Sequence, residues 1–228
     1  MARAQTTYFQ AHFFEFLRQL ALHNDRAWFA ENKSRFEADV QAPALRFIAE
    51  AGPRLRSLFP HLIVDPRPFG GSLARIYRDT RFSRDKRPYY THVGIHFWHG
   101  AAGKAKFHLP GFFLHIDPNE TVVYSGVWRP EAATLKAIRD RVADRPAEWK
   151  KVTRSPIELY GESLKRPPSG YDAAHPRIED LKRKDFVGRV AFARGQVGGP
   201  EFLPAFLKAC RTMDPLNRFL ADALQVGW

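Results

Sequence analysis

The stretch that decides the predicted fold is Ser72-Leu-Ala-Arg-Ile-Tyr-Arg-Asp-Thr-Arg-Phe-Ser-Arg-Asp-Lys-Arg-Pro-Tyr-Tyr-Thr-His92. It begins with alternating apolar and polar residues, as a strand does, passes through a polar turn that Pro88 closes, and leads into a second strand-like run. The 75–87 segment, named the basic loop below, holds six lysines and arginines but only two carboxylates, Asp79 and Asp85. So many guanidinium groups either fold around carboxylates of the chain or bind an outside anion.

Strand-like alternation continues after the basic loop. A short Pro118-Asn119-Glu120 link between two such runs is the strongest hairpin signal in the chain. Closely spaced strands with short links form an antiparallel meander. The predicted strands are 73–79, 92–98, 112–117 and 121–128, with a last strand at 186–193.

Helical patterns lie on both sides of these strands. Apolar residues recur at helical spacing in 9–22, Asp25 is placed to cap a second helix, and 44–58 and 201–224 read as further helices. The predicted fold class is therefore α+β: a central antiparallel sheet, a meander at about 72–128 plus the strand near 186–193, flanked by N- and C-terminal helices. A single domain over 1–228 is predicted, with a helical N-terminal layer (9–59), a sheet core (72–128), helices and a loop (130–184), and a C-terminal strand and helices (186–224).

Composition narrows the class of protein. Among 228 residues, 36 lysines and arginines face 24 acidic residues, a formal charge of +12, which makes polyanions plausible partners. Cys210 is the sole cysteine, so an intrachain disulfide and a cysteine-rich zinc site are excluded. No apolar run approaches the roughly 20 residues that cross a bilayer, and the first residues do not resemble a signal peptide. We therefore expect a cytoplasmic protein with no membrane partner.

Alternation along the strands predicts a polar face on the sheet. If the aliphatic residues share one core, the opposite face gathers a set of polar side chains. The 161–176 loop is rich in proline and glycine, and its 165–176 part is predicted to lie beside the basic loop and complete one concave site. The predicted polar face comprises Arg75, Tyr77, Asp79, His92, His96 and His115.

No metal or cofactor is predicted. His92 and His96 share a strand face, but four residues of strand separate them by about 13 Å, too far for one ion. His92 with His115 and either Asp79 or Asp117 would meet only in a favourable register, and no spaced ligand motif supports that arrangement. The chain also lacks a Walker loop, a dinucleotide fingerprint and a Gly-x-Ser-x-Gly elbow, and Cys210 lies in an apolar helical pattern typical of an inert thiol.

Several motifs carry a resemblance to a known family. The run Arg75-Ile-Tyr-Arg-Asp-Thr-Arg-Phe-Ser-Arg-Asp-Lys-Arg-Pro-Tyr89 resembles the signature of the family called domain of unknown function 2461. Three further stretches agree with that family: Asn24-Asp-Arg-Ala-Trp-Phe-Ala-Glu-Asn-Lys33, Gly126-Val-Trp-Arg-Pro130, and Leu164-Lys-Arg-Pro-Pro-Ser-Gly-Tyr-Asp-Ala-Ala-His-Pro176. The resemblance implies one integrated domain and supplies neither a substrate nor a catalytic residue.

The leading functional hypothesis is recognition of an anionic ligand that bears phosphate or carboxylate, and whether a hydrolytic or transfer reaction follows stays open. Asp79 and His92 are the candidates for catalytic proton transfer. Asp79 is also predicted to pair with an arginine of its own loop or of a neighbouring strand, while Arg78 has a structural role. The predicted ligand-binding residues are Arg75, Arg78, Arg81, Lys86, Tyr89, Tyr171 and His175.

Two alternatives stay open. A nucleic-acid-binding module would use the same loop and the basic 165–194 segment, and its binding would weaken steeply with salt because each neutralised phosphate releases counterions. A small ligand in a pocket would show a much shallower salt dependence. The third hypothesis is a structural or interaction protein without a ligand.

Overall fold

The computed structural model describes residues 6–103, 106–154 and 157–228, so the first five residues of the predicted domain lie outside the description. The helices of these ranges lie in the N-terminal part of the chain, in the 132–181 segment and in the C-terminal part. They are α1 (Ala11–Leu22), α2 (Arg26–Glu31), α3 (Lys33–Arg35), α4 (Ala42–Leu58), α5 (Ala132–Asp144), α6 (Pro146–Val152), α7 (Ile178–Leu181), α8 (Arg194–Val197) and α9 (Phe202–Ala223), with a π-helical segment, Phe36–Gln41, before α4 and a 3-10 turn, Gly100–Ala102.

The N-terminal helical layer forms where the sequence predicted it. Phe13, Phe16 and Leu20 of α1 are fully buried, as their helical spacing requires. The Asp25 side chain accepts a hydrogen bond from the Trp28 backbone N–H at 2.9 Å, so it caps the start of α2. No helix within the described ranges combines the length and the apolar character that a membrane span requires.

The sheet is antiparallel throughout and has six strands in the order β1-β2-β3-β4-β6-β5. Together with the flanking helices it confirms the predicted α+β class. Two short strands, β1 and β5, were not predicted, because two or three residues carry too little alternation to recognise. The strands are β1 (Leu62–Ile63), β2 (Val93–His99), β3 (Gly111–Ile116), β4 (Thr121–Val127), β5 (Glu158–Tyr160) and β6 (Phe186–Phe192).

The predicted strand at 73–79 is wrong. This segment makes only two isolated bridges, Leu73 to Ile95 and Tyr77 to Tyr89. The Arg78 N–H donates to the Pro88 carbonyl at 2.8 Å, so the basic loop folds back on itself instead of continuing along β2. Hydrogen bonds between the two ends of the basic loop thus form in place of a continuous strand at 73–79.

The two faces of the sheet differ. One face packs on α9: Phe97 meets Phe206 with ring centroids 5.7 Å apart, and Gly188 leaves room for Leu216. This face carries the core of the protein. On the other face, Tyr160 keeps 37% of its surface exposed, and Phe113 and Tyr124 are half-buried. We call this second face the exposed face of the sheet.

Candidate functional site

A cleft of about 560 Å³ lies on the exposed face of the sheet. Its volume falls within the usual range for small-molecule sites, roughly 300–1,000 Å³. We call it the sheet cleft. Most of its lining is aromatic or aliphatic, with one arginine and three histidines: His96, Phe107, His108, Leu109, Gly111, Phe112, Phe113, His115, Tyr124, Ser125, Gly126, Trp128, Arg129, Tyr160 and Val187.

The strand register brings the cleft residues together. His96 of β2 lies opposite Phe113 of β3, which in turn lies opposite Tyr124 of β4. Because side chains alternate between faces, these three rings project from the same side of the sheet. Gly94 makes room for them, since a β-carbon there would lie 2.6 Å from the Phe113 ring.

Ring stacking organises both ends of the cleft. At one end His96 and Phe107 stack with centroids 4.2 Å apart and planes 9° apart. At the other end Trp128 and Tyr160 stack at 5.8 Å and 25°, and Tyr160 lies 5.3 Å from Tyr124. Such rings offer flat apolar surfaces to a planar ligand.

His96 belongs to this apolar surface as a neutral group. Burial, together with the nearby Lys106 ammonium, lowers the pKa of His96 to about 3. Lys106 itself lies over the Trp98 ring at 3.5 Å. At neutral pH His96 therefore acts as an uncharged aromatic ring and as neither a cation nor a general acid.

Arg129, the one arginine of the cleft lining, has an unusual backbone conformation. Its φ is +46°, a left-handed geometry that few non-glycine residues adopt. The buried carboxylate of Asp185 accepts the Arg129 backbone N–H at 2.8 Å and the Glu162 backbone N–H at 3.3 Å. Asp185 thus joins the segment after β4 to the segment after β5 and fixes Arg129 at the rim.

A second depression adjoins the sheet cleft behind Arg129. It shares Trp128, Arg129 and Tyr160 with the cleft and adds polar groups, among them Glu162 and Lys184. Lys184 and Glu162 pair at 3.0 Å. The stacked Trp128 and Tyr160 rings therefore separate an aromatic compartment from a polar one.

The basic loop folds largely around its own carboxylates. Arg81 pairs with Asp79 at 2.7 Å and Arg87 with Asp85 at 2.7 Å, and each arginine also donates its backbone N–H to the same carboxylate. The predicted pairing of Asp79 with an arginine of its own loop is confirmed. The same arrangement recurs between Asp65 and Arg67. An Asp-x-Arg sequence thus forms a local turn that uses up one guanidinium group.

The charge states of these carboxylates bear on the catalytic prediction. Hydrogen bonds from Arg81 lower the pKa of Asp79, and hydrogen bonds from Arg87, then Arg78, hold the pKa of Asp85 well below its usual range. A general base at neutral pH needs a pKa shifted the other way, toward 7. Proton transfer by Asp79 stays a prediction, and the direction of its pKa argues against that role.

Three cations of the basic loop have no ion pair within the described ranges. Lys86 donates to the Thr80 carbonyl at 3.0 Å, while Arg75 and Arg84 are exposed. Phe82, 96% exposed, lies between them in sequence. The predicted surplus of positive charge is therefore present, but it is spread over an exposed loop instead of lining the cleft.

His92, the residue just before β2, lies on the same face of the sheet as His96 of β2 and His115 of β3, as predicted. The His92 and His115 rings lie 4.5 Å apart, and Tyr90 lies 5.1 Å from His92. Burial, together with the nearby His115, lowers the pKa of His92 to about 4. The rest of the predicted polar face is wrong, because Arg75, Tyr77 and Asp79 lie in the basic loop and not in a strand.

Tyr89 is buried and lies outside the lining of the sheet cleft. It is 5% exposed and stacks on Phe29 with centroids 4.1 Å apart. The Asn24 side chain binds both the N–H and the carbonyl of Tyr89, each at 3.0 Å. Tyr89 therefore anchors the basic loop to the N-terminal helical layer.

Tyr171 and His175 lie at the other end of the sheet. The Tyr171 hydroxyl donates to Asp140 at 2.7 Å, and His175 Nε2 lies 3.3 Å from the Ala143 carbonyl, both on α5. Leu73, just before the basic loop, bridges to Ile95 of β2 near one edge of the sheet, whereas the loop with Tyr171 and His175 follows β5 at the opposite edge. The prediction that the two loops complete one concave site is wrong, because α5 supplies the partners that hold the second loop.

The sequence prediction missed the residues that form the rim of the cleft. Tyr124 was within reach, since it shares a face with Val122 and Gly126 on a predicted strand. Trp128 and Arg129 belong to the 126–130 motif, but no sequence signal indicates the positive φ of Arg129. Tyr160 lies on a three-residue strand that escaped prediction.

Comparison with protein families matches residues 12–219 to the family described as conserved hypothetical protein (DUF2461). The chain belongs to this family. Comparison with curated proteins and with solved structures gave no match. In this DUF2461 protein the motifs behind the resemblance have separate structural roles: Asn24 anchors the basic loop, the 126–130 motif forms the rim of the cleft, and the 164–176 motif packs on α5.

The contacts of Arg78 make a stability prediction. We expect Arg78→Ala to lower Tm by a few degrees, because this side chain is 20% exposed and binds both the Asp85 carboxylate and the Arg87 carbonyl. Arg81→Ala and Lys86→Ala should change Tm by less than about 1 °C, since the exposed Arg81–Asp79 ion pair and the exposed hydrogen bond of Lys86 contribute little to stability. Thermal unfolding followed by circular dichroism in ligand-free buffer measures all three. Equal losses for Arg78→Ala and Arg81→Ala would contradict this division.

Proposed function

We propose that this protein binds a small ligand that combines a planar ring with an anionic group, and that it does so in the sheet cleft. Nucleotides and aromatic acids belong to this class. The observation that carries the proposal is the placement of Arg129 beside the stacked Trp128 and Tyr160 rings, in a left-handed backbone conformation that buried Asp185 maintains.

The strain at Arg129 supports a binding role. A non-glycine residue in the left-handed region costs on the order of 1–3 kcal/mol and persists only where its surroundings hold it. Glycine would adopt this conformation without that cost. An arginine here is therefore unfavourable for the fold alone. Arg129 lines the cleft, and its guanidinium group would there bind a carboxylate or phosphate bidentately.

The other arginines near the cleft are already paired. Arg189 binds Glu158 at 2.8 Å and lies over the Tyr160 ring at 5.2 Å. Arg129 has no ion pair within 4.0 Å among the residues that the structure describes. It is therefore the cation of the rim that remains available to a ligand, in place of the predicted arginines of the basic loop.

The rings supply the second part of the recognition. Stacking of a nucleobase on an aromatic side chain contributes roughly 1–3 kcal/mol. Tyr160, Phe107 and Phe113 keep exposed ring surface in the cleft. Acidic residues such as Glu158 and Glu162 alternate with the cations around the rim, and this balance favours a small ligand over an extended polyanion.

Two fluorescent dyes with the same ring system test the proposal. 8-Anilinonaphthalene-1-sulfonate carries an anionic group, and N-phenyl-1-naphthylamine lacks it. We expect the sulfonate to bind at least about ten-fold more tightly to the wild type, because a charge-assisted hydrogen bond contributes about 1.5–3 kcal/mol. Arg129→Ala should remove that preference and leave binding of the neutral dye unchanged, whereas Tyr160→Ala should weaken both.

Two further variants complete this experiment. Phe82→Ala removes an exposed ring outside the cleft and should bind both dyes as the wild type does. Arg129→Gly should lose the preference for the sulfonate and yet raise Tm, because glycine relieves the left-handed strain. Equal affinity of the wild type for the two dyes, or an unchanged preference in Arg129→Ala, would refute the proposal. Displacement of the sulfonate dye by nucleoside monophosphates or by aromatic carboxylates then identifies the ligand class.

A further inference from the structure

We propose that His92, His115, Asp117 and Glu120 form a binding site for one divalent transition metal ion of the zinc, cobalt or manganese type, next to the sheet cleft. Imidazole nitrogens and carboxylate oxygens are the ligands that these ions take in proteins. The ligand atoms of His115, Asp117 and Glu120 all lie within 4.8 Å of one another. His115 also lines the cleft, so a bound ion would lie beside the proposed ligand.

The hairpin between β3 and β4 positions the carboxylates. Asp117 Oδ1 accepts the backbone N–H groups of Asn119 and Glu120 at 2.6 and 2.9 Å. This turn fixes the Asp117 side chain and leaves Oδ2 toward His115, whose Nε2 lies 3.0 Å away. Glu120 is exposed, and its side chain is therefore free to adjust to an ion.

The sheet register brings in His92, the residue just before β2. Gly94 of β2 pairs with His115 of β3, so His92, two residues before Gly94, lies diagonally beside His115. The two imidazole rings are 4.5 Å apart. His92 makes no hydrogen bond through its ring within the described ranges, so a metal ion would not have to displace one. The favourable register that the sequence could not establish is present, with Asp117 and not Asp79 as the carboxylate.

The ligand atoms of His115, Asp117 and Glu120 come close to the spacing around a common ion, and the His92 ring would move toward them to become the fourth ligand. Ligand atoms that lie 2.0–2.2 Å from one zinc ion are roughly 3.3–4.4 Å apart, depending on geometry. The His115 to Asp117 separation is a little shorter, and an ion would replace the proton between these atoms with a shift of a few tenths of an ångström. His96 lies too far along β2 to take part, at about 13 Å from His92.

A simple hairpin ion pair between His115 and Asp117 is the competing explanation, and it makes different predictions. An ion pair needs neither Glu120 nor His92. A metal site uses the Glu120 carboxylate as a ligand. The ion pair does not involve it, because Glu120 makes no side-chain hydrogen bond to His115 or Asp117 within the described ranges. Glu120→Gln therefore separates the two, and because the residue is exposed the variant will fold.

Cobalt titration tests the site directly. Protein dialysed against a chelator is titrated with Co²⁺, and the visible absorption bands of the bound ion are followed, with Zn²⁺ as the competitor. We expect one ion per chain in the wild type and affinity at least about ten-fold lower in Glu120→Gln and in His92→Gln. His23→Gln, which changes an exposed histidine stacked on Trp28, should bind cobalt as the wild type does.

The outcomes are distinct from those of the dye experiment. Arg129→Ala should keep full cobalt affinity, so either proposal can fail while the other stands. A wild type that binds no cobalt in the micromolar to millimolar range would overturn the metal site. Wild-type affinity in both Glu120→Gln and His92→Gln would overturn it equally, and would leave His115 and Asp117 as an ion pair of the hairpin.

Discussion

Gly126→Ala is expected to destabilise the protein by about 3 kcal/mol or more and to leave little folded protein at 37 °C. Gly126 lies in β4 with φ at +123°, between Gly111 and Val187 of the neighbouring strands. A β-carbon at this position would overlap the Phe186 carbonyl oxygen and approach the carbonyl carbon to 3.1 Å. The obstacle is backbone inside a ladder, so relief requires that β4 and β6 separate.

A matched variant separates this overlap from simple backbone strain. Gly170 also has a positive φ, +88°, but no atom lies within 4 Å of the position that a β-carbon would take there. Gly170→Ala should therefore cost only the conformational preference, about 1 kcal/mol. Urea denaturation of both variants gives the two free energies of unfolding. If Gly126→Ala had the same free energy of unfolding as Gly170→Ala, β4 and β6 would be able to move apart without a loss of stability.

The strands that the sequence predicted well are those whose residues alternate over six or seven positions. In β2, β3 and β4 the apolar residues of one face are continuous enough to fix both the strand and its orientation, so the common face of His92, His96 and His115 followed directly. β1 and β5 contain two and three residues. Their existence depends on neighbours distant in sequence, and Tyr160 therefore could not be placed.

The basic loop shows why a correct charge argument gave an incomplete site. Two carboxylates did prove unable to neutralise six cations. However, the Asp-x-Arg sequences at 79–81 and 85–87 bind their own backbone N–H groups, and this local pairing competes with strand formation. The surplus cations consequently lie on an exposed loop and do not line the cleft. The cation of the cleft is Arg129, and its placement depends on Asp185, which is 56 residues away in sequence.

Asp185→Ala is the second substitution with a large expected effect, a loss of about 2–4 kcal/mol of stability. Asp185 is 6% exposed and accepts the backbone N–H groups of Arg129 and Glu162. Alanine leaves both donors without this acceptor and frees the segment after β4. Asp185→Asn should lose less, since its amide oxygen can still accept one of the two bonds, but its NH₂ group would face the other donor.

The control for Asp185 is an aspartate that makes the same kind of bond at the surface. Asp172 is exposed and accepts the Ala174 backbone N–H at 2.9 Å, so Asp172→Ala should cause only a small loss. Urea denaturation compares the variants, and dye titration of Asp185→Asn adds a functional measurement. Because Asp185 holds Arg129 in its left-handed conformation, Asp185→Asn should reduce the preference for the anionic dye even where the protein remains folded. A stable Asp185→Asn protein with full preference would mean that other contacts position Arg129, and that its strain is maintained without the buried carboxylate.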